Sequence, residues 1–116
     1  MIPFAKRGVG GELIARRYLS ELGHVILATN FHSRWGEIDI IAVTPEREVI
    51  FYEVKSYAVN SMVHPLEAVT PAKIRRIEKT VQYFLMKNPR YFESEMRIEI
   101  IVTDGDRVVD HLKTLK

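Results

Sequence analysis

The sequence predicts an α/β sandwich: a mixed five-stranded sheet with flanking helices in the chain order α-β-β-β-α-β-β. Three observations predict it. Two stretches carry apolar residues at helical spacing, and five short runs are β-branched or aromatic and bounded by turn residues. The second helix interrupts the strands between the third and the fourth, which calls for one crossover and a helix on each face or both on one. At 116 residues, 47% apolar and 28% charged, the chain suits a single domain over residues 1–116 with one core.

The first helix runs from about Ala5 to Leu22. Leu13, Ile14, Ala15, Tyr18, Leu19 and Leu22 form its apolar stripe, and Gly23 stands where it stops. HVILATNF (24–31) reads as a buried strand, followed by SRWG as a turn. EIDIIAV and EVIFYEV are strands two and three around the tip TPERE, whose Pro45 and charges suit a short hairpin loop. Residues 56–69 hold no sustained period and read as a long loop. The second helix has Thr70 as N-cap and Pro71 at its first position. Ile74, Ile77, Val81, Phe84 and Leu85 follow at helical spacing, and Asn88-Pro89 ends it. Met96–Thr103 and Arg107–Leu112 make a second hairpin around Asp104-Gly105.

Composition narrows the chemistry. With no cysteine there is no disulfide frame, thiolate metal site or thiol nucleophile, and the histidines at 24, 32, 64 and 111 lack zinc-ligand spacing. The N-terminal stretch is charged and has no long apolar run, so a cytoplasmic protein with no membrane segment is expected. The net charge is only +2, so affinity for a polyanion must come from a local basic patch.

The first hairpin departs from an ordinary strand pair. If it folds about Glu46, Val43 faces Val49, Ile41 faces Phe51, Asp39 faces Glu53 and Glu37 faces Lys55, all on one face. Facing Cβ atoms lie about 4.5–5.5 Å apart, and like charges there repel. A hard divalent cation offsets such repulsion: Mg²⁺ is commonly held by one or two carboxylates with water and substrate phosphate. Lys55, on the same face, can orient or help deprotonate a water, or stabilise charge on a phosphoryl transition state. The competing reading is a solvated face with a Glu37–Lys55 pair, against which the neighbours Ile41, Val43, Val49 and Phe51 are all apolar.

These residues match a wider pattern. Asp39 followed by Glu53-Val54-Lys55 resembles the PD-(D/E)xK nuclease superfamily. GGELIARRYLSELG, ATNFHSRWGEIDIIA, FYEVKS and VTPAKIRRI resemble the YraN family of small bacterial proteins, similar to archaeal Holliday-junction resolvases. The resemblance covers nearly the whole chain. It implies a restriction-endonuclease-like core of two or three layers and an endonuclease that hydrolyses phosphodiester bonds in structured or branched DNA. It also implies Asp39, Glu53 and Glu12 as metal ligands for Mg²⁺ or Mn²⁺, and Lys55 as the catalytic lysine. Glu12 lies at the margin of the first helix's apolar stripe, where an acid interacting with the helix dipole is the alternative role. The pattern departs at Ser56-Tyr57, where many relatives place an arginine two residues past the lysine. A nucleic-acid-binding module that keeps the fold without cleaving is the alternative function, and a scaffold whose acids serve only ion pairing is a third.

A nucleic-acid face is expected on the second helix. Lys73 stands in the first turn, where the dipole disfavours a cation and a capping box wants Glu, so its charge suits phosphate and Lys73→Glu should stabilise the helix. Arg76 is on the same helix, with Arg75 and Lys79 beside it, and Arg34 with Trp35 adds a phosphate contact and a stacking surface from the turn before strand two. A solvated helix face is the plainer account of these charges. His32, in the same turn, reads as an exposed histidine. Apolar Tyr57, Val59, Met62 and Val63 in the long loop predict a homodimer.

Overall fold

The computed structural model describes residues 4–56 and 69–113, with side chains from Gly10 onward. The apolar residues 57, 59, 62 and 63, on which the homodimer expectation rests, lie outside the described residues. The elements are α1 (Phe4–Glu21), β1 (Val25–Ser33), β2 (Gly36–Val43), β3 (Val49–Ser56), α2 (Pro71–Lys87), a 3₁₀ turn (Pro89–Tyr91), β4 (Met96–Thr103) and β5 (Val108–Leu112). This is the expected order. Among the described residues no helix is long and apolar enough to cross a membrane.

Local chemistry sets the boundaries. α1 ends in a Schellman motif: His24 N–H donates to the Leu19 carbonyl and Gly23 N–H to that of Ser20, both at 3.0 Å, and Gly23 takes the required positive φ of 86°. α2 begins at Thr70, whose hydroxyl accepts from Lys73 N–H at 3.2 Å, with Pro71 at the first position where a missing N–H costs nothing. The first hairpin turns through Pro45-Glu46-Arg47. Arg47 N–H bonds the Thr44 carbonyl and Arg47 is left-handed at φ 69°, a type I turn closed by one left-handed residue.

The five strands lie in chain order, β1-β2-β3-β4-β5. Neighbours are antiparallel except β3 and β4, which run parallel because α2 carries the chain back between them. A helix covers each face, so the molecule has three layers and two cores. On one face Ile38, Ile41, Phe51 and Ile98 pack with Ile77, Val81, Phe84 and Leu85 of α2. On the other, Ile40, Ala42, Ile50, Tyr52 and Ile101 pack with Ala15 and Leu19 of α1. α1 approaches the sheet at Gly11, where an added Cβ would stand 3.2 Å from Ser56 Oγ and 3.3 Å from Thr103 Oγ1.

The α1 side also holds a polar network. Glu99, on β4 and almost wholly buried, accepts from Arg97 Nε at 3.0 Å and lies 2.7 Å from His111 Nε2. Arg97 reaches on to Glu48 at 2.6 and 3.1 Å, and His111 Nδ1 meets the Tyr18 hydroxyl at 2.9 Å. Burial pushes the Glu99 carboxyl up, but His111 and Arg97 outweigh it and hold it below the usual range. Glu99→Ala strips the network of its central anion, and urea melts should show a loss on the order of 3 kcal/mol; a loss well under about 1 kcal/mol would mean the network contributes little.

Candidate active site

The expected hairpin register is present from Val43↔Val49 through Ala42↔Ile50 and Ile41↔Phe51 to Ile40↔Tyr52. Beyond that pair the two strands no longer meet as a regular ladder. In a continued ladder Val54 N–H would donate to the Ile38 carbonyl; instead it donates to the Asp39 carboxylate, Oδ2, at 2.8 Å. The cause lies one strand over. Ile38 and Ile41 both pack against α2 although they are three residues apart, and so do Ala28 and Phe31, with which they pair on β1. A period of two forbids this unless each strand kinks once between them. Both kink at matched positions, Asn30 and Asp39, and Asn30 carries a left-handed φ of 51°.

The kink presents Asp39 to Glu53 at the end of the α2-side core. Burial and the charge of Glu53 push the Asp39 carboxyl up from 3.8 to about 7, against the opposing pull of the Val54 N–H. Glu53 is only 6% exposed, and its Oε2 holds two ammonium groups: Lys55 Nζ at 3.3 Å and Lys73 Nζ at 2.5 Å. Burial, together with the nearby Lys73, holds Lys55 below the ordinary lysine range. For Lys73 burial pulls downward, but hydrogen bonding to Glu53 and the charges of Glu53 and Asp39 prevail and raise it.

Four of the expected residues therefore come together: Asp39, Glu53, Lys55 and Lys73. Lys73 does so through Glu53: its apparent misplacement on the helix is answered by an acid from the sheet. Glu37 pairs with His32 of β1 at 3.2 Å, so the Glu37–Lys55 pair of the competing, solvated-face reading gives way to Lys55–Glu53. Glu12 accepts from Asn30 Nδ2 at 2.6 Å and lies 3.6 Å from Arg16. It is thus joined to the kink residue Asn30, and it does not form the expected three-acid group with Asp39 and Glu53.

A divalent ion held between Asp39 and Glu53 would oppose both the burial and the Glu53 repulsion that raise the Asp39 carboxyl. Among the described residues no group of three His, Cys, Asp or Glu side chains forms a ready metal cage. The remaining positions about an ion would fall to water and substrate oxygen, as is usual for Mg²⁺.

Arg34 and Arg76 meet elsewhere. With Trp35, Ala72, Arg75 and Lys79 they line a shallow cleft of about 460 Å³ between the β1–β2 turn and α2, and the Arg34 guanidinium stacks on the Trp35 ring at 5.3 Å.

Residues 11–103 match the family described as Uncharacterised protein family UPF0102. The chain belongs to this family, the YraN family that its sequence resembles. Among similar UPF0102 proteins, one from Syntrophomonas wolfei is 36% identical over 107 residues, 90% of this chain and 92% of that protein. One from Bifidobacterium longum is 36% identical over 110 residues, 91% and 89% of the two chains. One from Dichelobacter nodosus is 43% identical over 83 residues, 72% of this chain and 65% of the relative.

Within this UPF0102 fold, two roles escape a reading of single elements. Asn30 hides in a β-branched run, though an asparagine there is the residue type that tolerates a left-handed kink. The partner of Lys73 lies on another element, which helix rules do not see.

Two outcomes follow for stability. In metal-free, chelated buffer the folded state binds a proton on Asp39 more tightly than the unfolded chain does, so this group withdraws stability as pH rises from about 4 to about 7. Asp39→Asn should gain on wild type between pH 5 and pH 8 in urea melts; parallel curves would contradict the raised carboxyl. Lys73→Glu places a third acid beside Glu53 and Asp39 and should lower stability by about 2 kcal/mol, the reverse of the gain expected from the helix alone. A higher melting temperature for that variant would contradict the Lys73–Glu53 pair.

Proposed function

We propose that the protein is a Mg²⁺- or Mn²⁺-dependent endonuclease that hydrolyses phosphodiester bonds in structured or branched DNA. The observation that carries this reading is the convergence of Asp39, Glu53 and Lys55 at the parted end of β2 and β3, with a second lysine from α2. Hydrolysis adds water across a P–O bond: the water oxygen attacks phosphorus, a bridging P–O bond breaks, and the departing oxygen takes up a proton. Asp39 and Glu53 would hold the cation, which when bound supplies positive charge against the phosphate oxygens. Asp39 is fixed for this by the Val54 N–H. Lys55, with its proton affinity lowered by burial and by Lys73, is suited to exchange a proton with the attacking water. Lys73 keeps its proton and contributes fixed positive charge where negative charge grows on the phosphoryl group.

A second reading, a nucleic-acid-binding module that does not cleave, is favoured by one observation: Lys55 and Lys73 already satisfy Glu53 Oε2. Cleavage of labelled branched and linear duplexes with Mg²⁺, Mn²⁺ or chelator separates the two. Wild type should cut with metal, and Asp39→Asn, Glu53→Gln and Lys55→Met should each lose about 10²-fold or more. Mg²⁺ should also raise the melting midpoint of wild type and not of Asp39→Asn. Binding without cleavage by wild type supports the second reading, and undiminished cleavage by all three variants removes these residues from the chemistry.

A further inference from the structure

The cleft beside the acids has a composition of its own. Ala72, Arg75, Arg76 and Lys79 form one stripe of α2 at the spacing of a single helix face, and Arg34 with Trp35 closes the cleft from the β1–β2 turn. The two sides are locked together. Trp35 N–H donates to Ser33 Oγ at 3.1 Å, and Ser33 Oγ lies 2.7 Å from Thr80 Oγ1. The fully buried Thr80 hydroxyl donates in turn to the Arg76 carbonyl at 3.0 Å. At Gly36 the turn's backbone comes close to α2, where an added Cβ would stand 3.8 Å from Arg76 Cβ. The indole is further braced by Tyr83, with ring centroids 6.4 Å apart. Trp35 is therefore held among four cations rather than dangling from a loop.

We infer that this cleft receives an unpaired nucleotide, its base stacking on the Arg34–Trp35 pair and its flanking phosphates meeting Arg75, Arg76 and Lys79. This rests on the nucleic-acid reading of the neighbouring acid site and narrows its substrate to DNA with unpaired nucleotides beside a duplex. An aromatic ring stacks most readily on a base already out of the helix, because the interior bases of a duplex are stacked on each other. The size agrees: about 460 Å³ is the scale of a small-ligand pocket, too small to seat a duplex. The position agrees as well. Arg76 follows Lys73 by three residues of α2, about 4.5 Å along the axis, and Lys73 is bonded to Glu53. A nucleotide in the cleft thus adjoins the phosphate that the acids would face.

Trp35 is the sole tryptophan of the chain, so its fluorescence reports the cleft directly. In chelating buffer, where metal-dependent cleavage cannot occur, wild type is titrated with a blunt duplex and with the same duplex bearing a short single-stranded tail. Tryptophan emission and the anisotropy of a label on the DNA are read together. The tailed duplex should bind more tightly and quench Trp35. Trp35→Ala should lose about tenfold in affinity for the tailed duplex and little for the blunt one, with Trp35→Phe restoring most of the difference. Arg75→Glu should flatten the slope of log affinity against log salt by about one unit. Equal binding of both duplexes without quenching overturns the inference and leaves the nucleic-acid reading standing. Binding of neither duplex, with or without added Mg²⁺, overturns both.

Discussion

The hydrogen bond from Val54 N–H to the Asp39 carboxylate is the constraint on which the site depends. It substitutes a side chain for a backbone carbonyl in the sheet, and so ends the β2–β3 ladder where the acids stand. With the ladder closed at that point, the Val54 N–H would go to the Ile38 carbonyl and β3 would offer Asp39 no donor. With it open, the carboxylate satisfies the donor while it faces Glu53. The matched kinks at Asn30 and Asp39 make the opening possible, and Glu12 holds Asn30 from α1.

The molecule handles its buried acids in two opposite ways. Glu99 is surrounded by His111 and Arg97 and is held ionised, its charge fully answered within the fold. Asp39 faces another acid and is pushed toward its neutral form. One arrangement suits a structural anion, and the other leaves a carboxyl that an external positive charge would help to ionise. The two lie on opposite faces of one sheet, the first under α1 and the second beside the start of α2.

Much of this was legible in the sequence, and the reasons are specific. The period of two in EIDIIAV and EVIFYEV, with a compact tip, sets a register that brings Asp39, Glu53 and Lys55 to one end. Thr70-Pro71 and Gly23 mark helix ends by backbone chemistry that hardly depends on context. The kink at Asn30 and Asp39 was not legible, because it results from two strands packing against α2 together. The destination of Lys73 was not legible either: a helix rule weighs only the helix, and the acid that answers this lysine arrives from β3. Arg97 and Glu99 alternate with isoleucines in MRIEIIV as though one face were wet. They are enclosed because β4 is an inner strand covered by α1, which is a property of the sheet order.

That order also bears on how the molecule comes to be folded. β1, β2 and β3 pair with sequence neighbours across short turns, so their contacts cost little loop entropy, whereas the parallel β3–β4 pairing must wait for the whole α2 segment to fold back. Asp39 and Glu53 both lie in the locally paired part, and Lys73 lies in the segment that must fold back. A chain with only its first three strands in place brings two acids together without the helix lysine that answers them. Docking of α2 thus answers an electrostatic strain as well as covering a core, and links a long-range contact of the fold to the assembly of a charge-balanced site.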